Sequence, residues 1–338
     1  MTHSPTLATG PALNRRGILA VLLGSLLGAN ARAAAWKPTG QVEYVIPSAA
    51  GGAVDIYGRV MKKFFDTHGS LGGQAMIITN RPGGQGMIAA APVVQRPGDA
   101  DIFTMLSTGF MLGQILGDYK HDLLKDFTIG PILFEEALVV AVKADSPIRN
   151  AADMVARLKK DPGSLRIAVA PGLNNHIHIA ILKPLKLAGV ATEKLTVAPF
   201  RSSAESVVAL RGDHVDVVSA SAANLVTGVT SGALRVIAVS SAARLPGALA
   251  HVPTWKEQGI DSVYTSVEGI LFPPRITAEQ IAFWDERFRE LSRSPEWAAT
   301  LQEYEVTPRF MDHAQARAFV ASELEESSRL LHALGMVS

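Results

Sequence analysis

Two stretches of this chain carry residue types at spacings suited to one kind of chemistry, the holding of an anion on backbone N–H groups. Residues 44–55 read Y-V-I-P-S-A-A-G-G-A-V-D. The apolar run stops at Pro47, small residues fill 48–52, and a helical pattern opens at Ala53. Strand, small-residue loop and helix start together leave several N–H groups at the positive end of a helix dipole, which favours an anion. The second stretch mirrors the first. Arg166–Ala170 is strand-like, Pro171-Gly172-Leu173-Asn174-Asn175 is a loop, and a helical pattern starts near His176. Asn175 has two readings there: a plain N-cap, or part of a second anion cradle. Two helix starts facing one cleft would hold one carboxylate between them.

Other chemistry is poorly supplied. The chain has no G-K-[ST] phosphate loop and no G-x-S-x-G nucleophile elbow. Gly84-Gln85-Gly86-Met87-Ile88-Ala89 fits the dinucleotide fingerprint, but the acid expected about 20 residues on is missing, since the strand Ile102–Ser107 ends in Ser107-Thr108. His176 and His178 stand two apart, on different faces of a helix, and no acid or further histidine completes a metal set. Neither a cofactor nor a metal is expected. With no cysteine there is no disulfide, no thiolate nucleophile and no lipid attachment site. A net charge of +1 argues against nucleic acid as a partner.

The elements that must position the two loops alternate. Strand-like runs at Val42–Ile46, Ala75–Thr79, Ile102–Ser107, Leu138–Val142, Arg166–Ala170, Thr196–Pro199, Val215–Ser219 and Leu234–Val239 are separated by helical patterns at Val54–Thr67, Met87–Gln95, Ala152–Lys160, Ile177–Ala188 and Ala204–Arg211. This is the signature of an α/β fold with largely parallel sheets. The block Thr277–Leu334 reads as helical throughout, with Pro295 and Pro308 as breakers. Leu138–Val142 and Leu234–Val239 are continuous enough to be crossings between lobes, giving one lobe of 36–139 plus 240–338 and another of 140–239.

The N-terminus has the layout of an export signal: Asn14-Arg15-Arg16, an apolar run Ile18–Leu27, and A-x-A sites within residues 29–35. The apolar run is about half of what crosses a bilayer. Arg15-Arg16 also resembles a twin-arginine signal, and both export routes stay open. Cleavage near residues 33–35 would release a periplasmic chain, expected to act as a monomer.

The residues match a family. Y-V-I-P-S-A-A-G-G-A-V-D resembles the P-F-x-A-G-G-x-x-D opening of the Bug-type receptors, the substrate-binding proteins of tripartite tricarboxylate transporters. Asn80-Arg81-Pro82-Gly83-Gly84-Gln85-Gly86 resembles its N-x-P-G-x-x-G segment, and Gly172–His176 its G-x-x-x-H loop. Pro199-Phe200-Arg201 stands where the family has P-Y-K. Gly212–Asp216 resembles its G-x-x-V-D turn, and His251-Val252-Pro253-Thr254 with Gly259 its D-V-P-T…G turn. The resemblance implies a type II periplasmic-binding-protein fold, two α/β lobes joined by two crossover strands around a ligand cleft. It also implies a receptor without catalysis, which hands a small carboxylate to membrane transporter subunits. Di- and tricarboxylates and aromatic acids are the classes it suggests.

Carried onto this sequence, the resemblance nominates Ser48, Ala49, Gly51, Gly52 and Asp55 in the first loop, and Gly172, Asn174, Asn175 and His176 in the second. Ser107 and Thr108 offer hydroxyls at a strand end. Asp55 has two readings, a ligand contact or a helix-start residue. Arg201 is either a bidentate partner for a second ligand carboxylate or one half of an ion pair. Where amino-acid-binding relatives carry an acid, this chain has Ala220, between Ser219 and Ser221, so an α-ammonium is disfavoured and the serines would meet a ligand oxygen. Glu268 is the one acid that could rescue an ammonium, if it points inward rather than to solvent or across the lobes. Two other functions stay open: a ligand-loaded sensor component for a membrane kinase, and an exported hydrolase or transferase on the same scaffold.

Overall fold

The order of strands in the sheet differs sharply from their order in the chain. The computed structural model describes Met1 and residues 36–337 apart from Ala49, Gly52 and Pro171. The expected export signal therefore lies outside the described residues. All elements belong to the unit that begins at Lys37. The first half holds β1 (Val42–Ile46), α1 (Ala53–His68), β2 (Met76–Asn80), α2 (Met87–Val94), β3 (Ile102–Ser107), α3 (Thr108–Ile115), α4 (Leu123–Asp126) and β4 (Thr128–Lys143). Next come α5 (Ala151–Lys160), β5 (Arg166–Val169), α6 (His176–Leu187), β6 (Thr196–Pro199), α7 (Ser203–Arg211), β7 (Val217–Ser221), α8 (Val226–Thr230) and β8 (Leu234–Val239). The chain closes with β9 (Thr265–Phe272), α9 (Ala278–Ser292), α10 (Pro295–Glu303), β10 (Thr307–Met311) and α11 (His313–Ala333).

The strands run β2-β1-β3-β9-β4-β7-β5-β6, with β8 and β10 also paired to β4. β4 belongs to two sheets. Thr128–Ala137 pairs with β9, and Leu138–Ala141 with β7. β4 is buried along nearly its whole length, as a strand covered on both faces must be, and its apolar run supplies the burial. On the first sheet, Tyr57, Met61, Phe64 and Phe65 of α1 recur at helical spacing and are all buried. Trp284 and Phe288 of α9 close the sheet from the helical side, with ring centroids 5.2 and 5.8 Å from Phe103.

Two α/β lobes joined through β4 are thus present. The sequence reading differs from the structure at four places. β9 was not anticipated and is a central strand. β10 interrupts the block expected to be all helical. β7 sits two residues further on than its apolar run suggested, and the strand at Leu138–Val142 is only the second half of β4. Beyond Val239 the chain does not return at once to the first sheet: Leu245, Leu249 and Val252 share a core with Val139, Leu210 and Val218, and the first sheet resumes at Thr265. α11 reaches both cores, with Ala316 and Val320 in the first and Leu331 in the second.

Candidate functional site

The first loop is held by a charged side chain. Asp55, in the first turn of α1, is 1% exposed and accepts from the Gly51 N–H at 2.9 Å and from Arg59 Nε at 2.8 Å. Its other oxygen accepts from Asn80 Nδ2 at 3.0 Å, and that same amide nitrogen donates to the Ser48 carbonyl at 3.0 Å. Burial pushes the Asp55 carboxyl up, but hydrogen bonds from Arg59, Gly51 and Asn80 outweigh it and hold the group below its ordinary value. Asp55 and the Gly51 N–H are therefore spent on each other. Asp55 fixes the loop, the helix-start reading, rather than meeting a ligand itself. Gly51 sits at φ 83° with open space around its Cβ position, so the turn requires glycine for its backbone and not for room. Ala49 and Gly52 lie outside the described residues.

The second loop is held by a neutral one. Asn175 Oδ1 accepts from the N–H groups of Ile177 and His178 at 2.9 and 3.0 Å, and Nδ2 donates to the Gly172 carbonyl at 2.9 Å. The cap reading of Asn175 is what the geometry shows. The Gly172 N–H donates to the Phe200 carbonyl. Asn174 adopts φ 63° and its N–H donates to His178 Nδ1 at 3.0 Å. Because Nδ1 accepts, the network assigns the His178 proton to Nε2, which is buried and has no protein partner. His176 Nδ1 is also buried without a partner. Burial pushes both imidazoles down to about 4, so both are neutral at pH 7.

The two lobes meet at Gly109. A Cβ at this position would lie 3.3 Å from Ser107 Oγ and 3.4 Å from His176 Nδ1, so Ser107 and His176 converge although one ends β3 and the other opens α6. Thr108 is turned to another task, its Oγ1 accepting the Val267 N–H at 3.0 Å.

Arg201 is not part of this convergence. Its side chain is 91% exposed and ion-paired with Glu205 one turn on. The bidentate reading is corrected: the loop after β6 turns the guanidinium to solvent. Ser219 Oγ donates to the Ile177 carbonyl at 2.9 Å and ties β7 to α6. Ala220 points into the core with Leu210 and Val218, because strand residues alternate sides and its flanking serines take the other face. Position 220 therefore cannot decide for or against an ammonium.

Sequence reasoning missed the neighbour that matters. Ser221 Oγ donates to Glu136 Oε2 at 2.7 Å, and Glu136 is 6% exposed on β4. Glu268 lies opposite Ser107 and Phe134 on adjoining strands, is 7% exposed, and accepts only a long 3.4 Å bond from Ser266 Oγ. Burial pushes Glu136 up to about 7. Burial first, then the charge of Glu136, raises Glu268 well above the ordinary carboxylate range. Glu268 thus points inward, beside a second acid. No group of histidines, acids or cysteines suited to a metal occurs among the described residues. A depression of about 570 Å³ around Lys37, Phe64 and His68 includes none of the loop residues.

Residues 61–336 match the model of the tripartite tricarboxylate transporter family receptor. The chain belongs to that family. A UPF0065 protein from the gbd 5' region of Cupriavidus necator is 27% identical to this receptor, over 88% of the chain and 89% of the relative. Among solved structures, an R. palustris protein with adipate superposes at a TM-score of 0.79 and 24% identity, covering 88% of this chain and 98% of its own. MatC from Rhodopseudomonas palustris with bound malate gives 0.75 at 20% identity, covering 87% and 99%. These likenesses show the two-lobed fold. The chain is a receptor and not an enzyme, as its family is. No described helix is long and apolar enough to cross a membrane.

Proposed function

We propose that this receptor binds a small organic carboxylate between the loop before α1 and the loop before α6, and delivers it to the membrane subunits of a tripartite tricarboxylate-type transporter. The observation that carries the reading is the convergence at Gly109, where Ser107 from one lobe meets His176 from the other, both beside helix starts. A carboxylate there gains hydroxyl, imidazole and backbone donors from both lobes, so binding favours the closed arrangement that the transporter reads. A micromolar dissociation constant needs about 8 kcal/mol, and hydrogen bonds to a charged group contribute roughly 1.5–3 kcal/mol each. Four good contacts, less the cost of closure, reach that range. Ser48 and the backbone of the first loop supply one side; His176 and His178 supply neutral donors on the other. Adipate and malate in the solved relatives support the carboxylate class.

The test is a thermal-shift panel of mono-, di- and tricarboxylates and aromatic acids. A ligand at 100 times its dissociation constant adds about 2.7 kcal/mol of stability. A panel in which no carboxylate raises the transition would sink the reading. The proposal includes export with removal of the first 33–35 residues. Intact-mass analysis of periplasmic material should find chains beginning near Ala34–Trp36, and a chain beginning at Met1 would count against it.

A further inference from the structure

We propose that Glu268, with Glu136 beside it, forms a cation subsite in the cleft, and that the ligand's carboxylate is accompanied by a protonated primary amine. The inference rests on the receptor reading above and names the ligand more closely. Among the described residues, Glu268 Oε2 is buried without a partner, and so is the hydroxyl of Tyr57, which is 3% exposed. Tyr57 and Glu268 line one small cavity of about 10 Å³ together with Tyr44, Phe134 and the apolar side chains of Met61, Met105 and Leu133, which is room for one water-sized group. Val54, in the first turn of α1, lines it too, so the cavity adjoins the helix start of the first cradle. A carboxylate at that helix start and a group in this cavity belong to one short molecule.

The chemistry of the cavity suits a small cation. Carboxylate oxygens accept from an ammonium, and aromatic faces attract it. Among the described residues, the cavity is lined by one acid, Glu268, and by no cationic side chain that would hold an anion. The neighbouring Glu135 shows the contrast: it is ion-paired with Arg309, whereas Glu136 has Ser221 and Glu268 has Ser266 as hydrogen-bond partners among the described residues. The groups facing Glu268 are Glu136 from β4, Tyr44 from β1, Tyr57 from α1 and the hydroxyls of Ser107 and Ser266, none of them cationic. The size of the cavity admits a primary ammonium and excludes a trimethylated one. Burial raises the Glu268 carboxyl well above its ordinary range; an arriving ammonium favours the ionised form, so its binding would release protons.

The experiment is calorimetry on the mature receptor with matched pairs: aspartate against succinate, glutamate against glutarate, 4-aminobutyrate against butyrate. The expected result is that at least one amine member binds about tenfold or more tightly than its partner, the effect of one charge-assisted contact. That binding should release protons, read from its heat in buffers of different ionisation enthalpy. Glu268→Gln should abolish both the preference and the proton release while leaving the deaminated partner within about threefold; Glu136→Gln should halve the effect and serves if the first variant does not fold. Should none of the six bind, methylammonium decides: it must raise the wild-type transition above sodium and tetramethylammonium at equal ionic strength, and fail to do so in Glu268→Gln. Deaminated members binding as tightly as their partners, an amine preference that survives Glu268→Gln, or methylammonium acting like sodium overturns the subsite. The first of these outcomes, a buried acid that only hydrogen-bonds a neutral oxygen, leaves the carboxylate receptor standing. Failure of all carboxylates with a positive methylammonium arm does the reverse.

Discussion

The two glycine loops begin from the same sequence grammar and end with different supports. The loop before α1 is braced by Asp55, a charged group that draws Arg59, Gly51 and Asn80 to itself. The loop before α6 is braced by Asn175, a neutral cap, and leaves two imidazoles with a buried nitrogen each. The difference teaches that a helix start becomes a binding surface only where its own side chains have not consumed its donors. The first loop has a rigid frame with part of its N–H set already committed. The second has the spare hydrogen-bonding capacity.

The comparison breaks most readily at Asp55. Asp55→Ala removes a buried acceptor of four hydrogen bonds and frees Asn80, and should cost about 2–4 kcal/mol in denaturant unfolding. Asn175→Ala should cost only about 1–2 kcal/mol. Equal losses, or the reverse order, would erase the asymmetry. The imidazoles come next. Both have folded-state values below their ordinary one, so the unfolded chain takes up protons first on acidification; their contribution is complete above pH 6.5 and is lost as pH falls toward about 4. Each should account for roughly 1–3 kcal/mol over that window. His176→Asn should reduce the wild-type slope there, and an unchanged slope would show that His176 is not one of the acid-sensitive groups. Glu136 has the opposite sign. Its raised value favours the folded state below pH 4.5, with that contribution lost as pH rises through about 7, so Glu136→Gln should be relatively stabilising at pH 8.

Gly109→Ala sharpens the comparison from the other side. Within α3 the substitution gains about 1 kcal/mol of helix propensity, yet its methyl crowds Ser107 and His176. Carboxylate affinity should fall about tenfold, roughly 1.4 kcal/mol, while the melting temperature holds or rises; a parallel loss of both would reduce Gly109 to a packing position. The smallest effect belongs to Arg201→Ala, which removes an exposed ion pair and should change stability by less than about 0.5 kcal/mol and affinity not at all.

Much of the scaffold was legible because the first lobe's opening strands and the alternating units of the second are short apolar runs ended by turn residues. β1, β3, β6 and β8 fall on their expected residues. β9 escaped because T-S-V-E-G-I-L-F carries a charge and a glycine inside its apolar run, while burial on both faces removes the alternation that marks a strand. β10 escaped because Pro308 reads as a breaker, although an edge position tolerates proline. At the site, the caps were legible from local spacing, since Asn175 acts within three residues of itself and Asp55 reaches Gly51 and Arg59 four residues to either side, although its bond to Asn80 spans 25 residues and was not legible. Glu136 was not, because its bond to Ser221 joins residues 85 apart. Ala220 misled for a different reason: a strand ended at Ser219 leaves position 220 in the loop beyond it, whereas β7 runs on to Ser221 and turns Ala220 into the core.

The strand order has a consequence for the way this protein is made. β3 and β4 follow one another in the chain, yet the place between them is filled by β9, and Ser107 waits for Glu268 as its cross-strand partner. A chain emerging from its N-terminus exposes the edge of β3 for nearly half its length before that partner appears. Such long-range closure is slow, because loop entropy is spent before the contacts reward it. The first lobe to be synthesised is therefore the last to be completed.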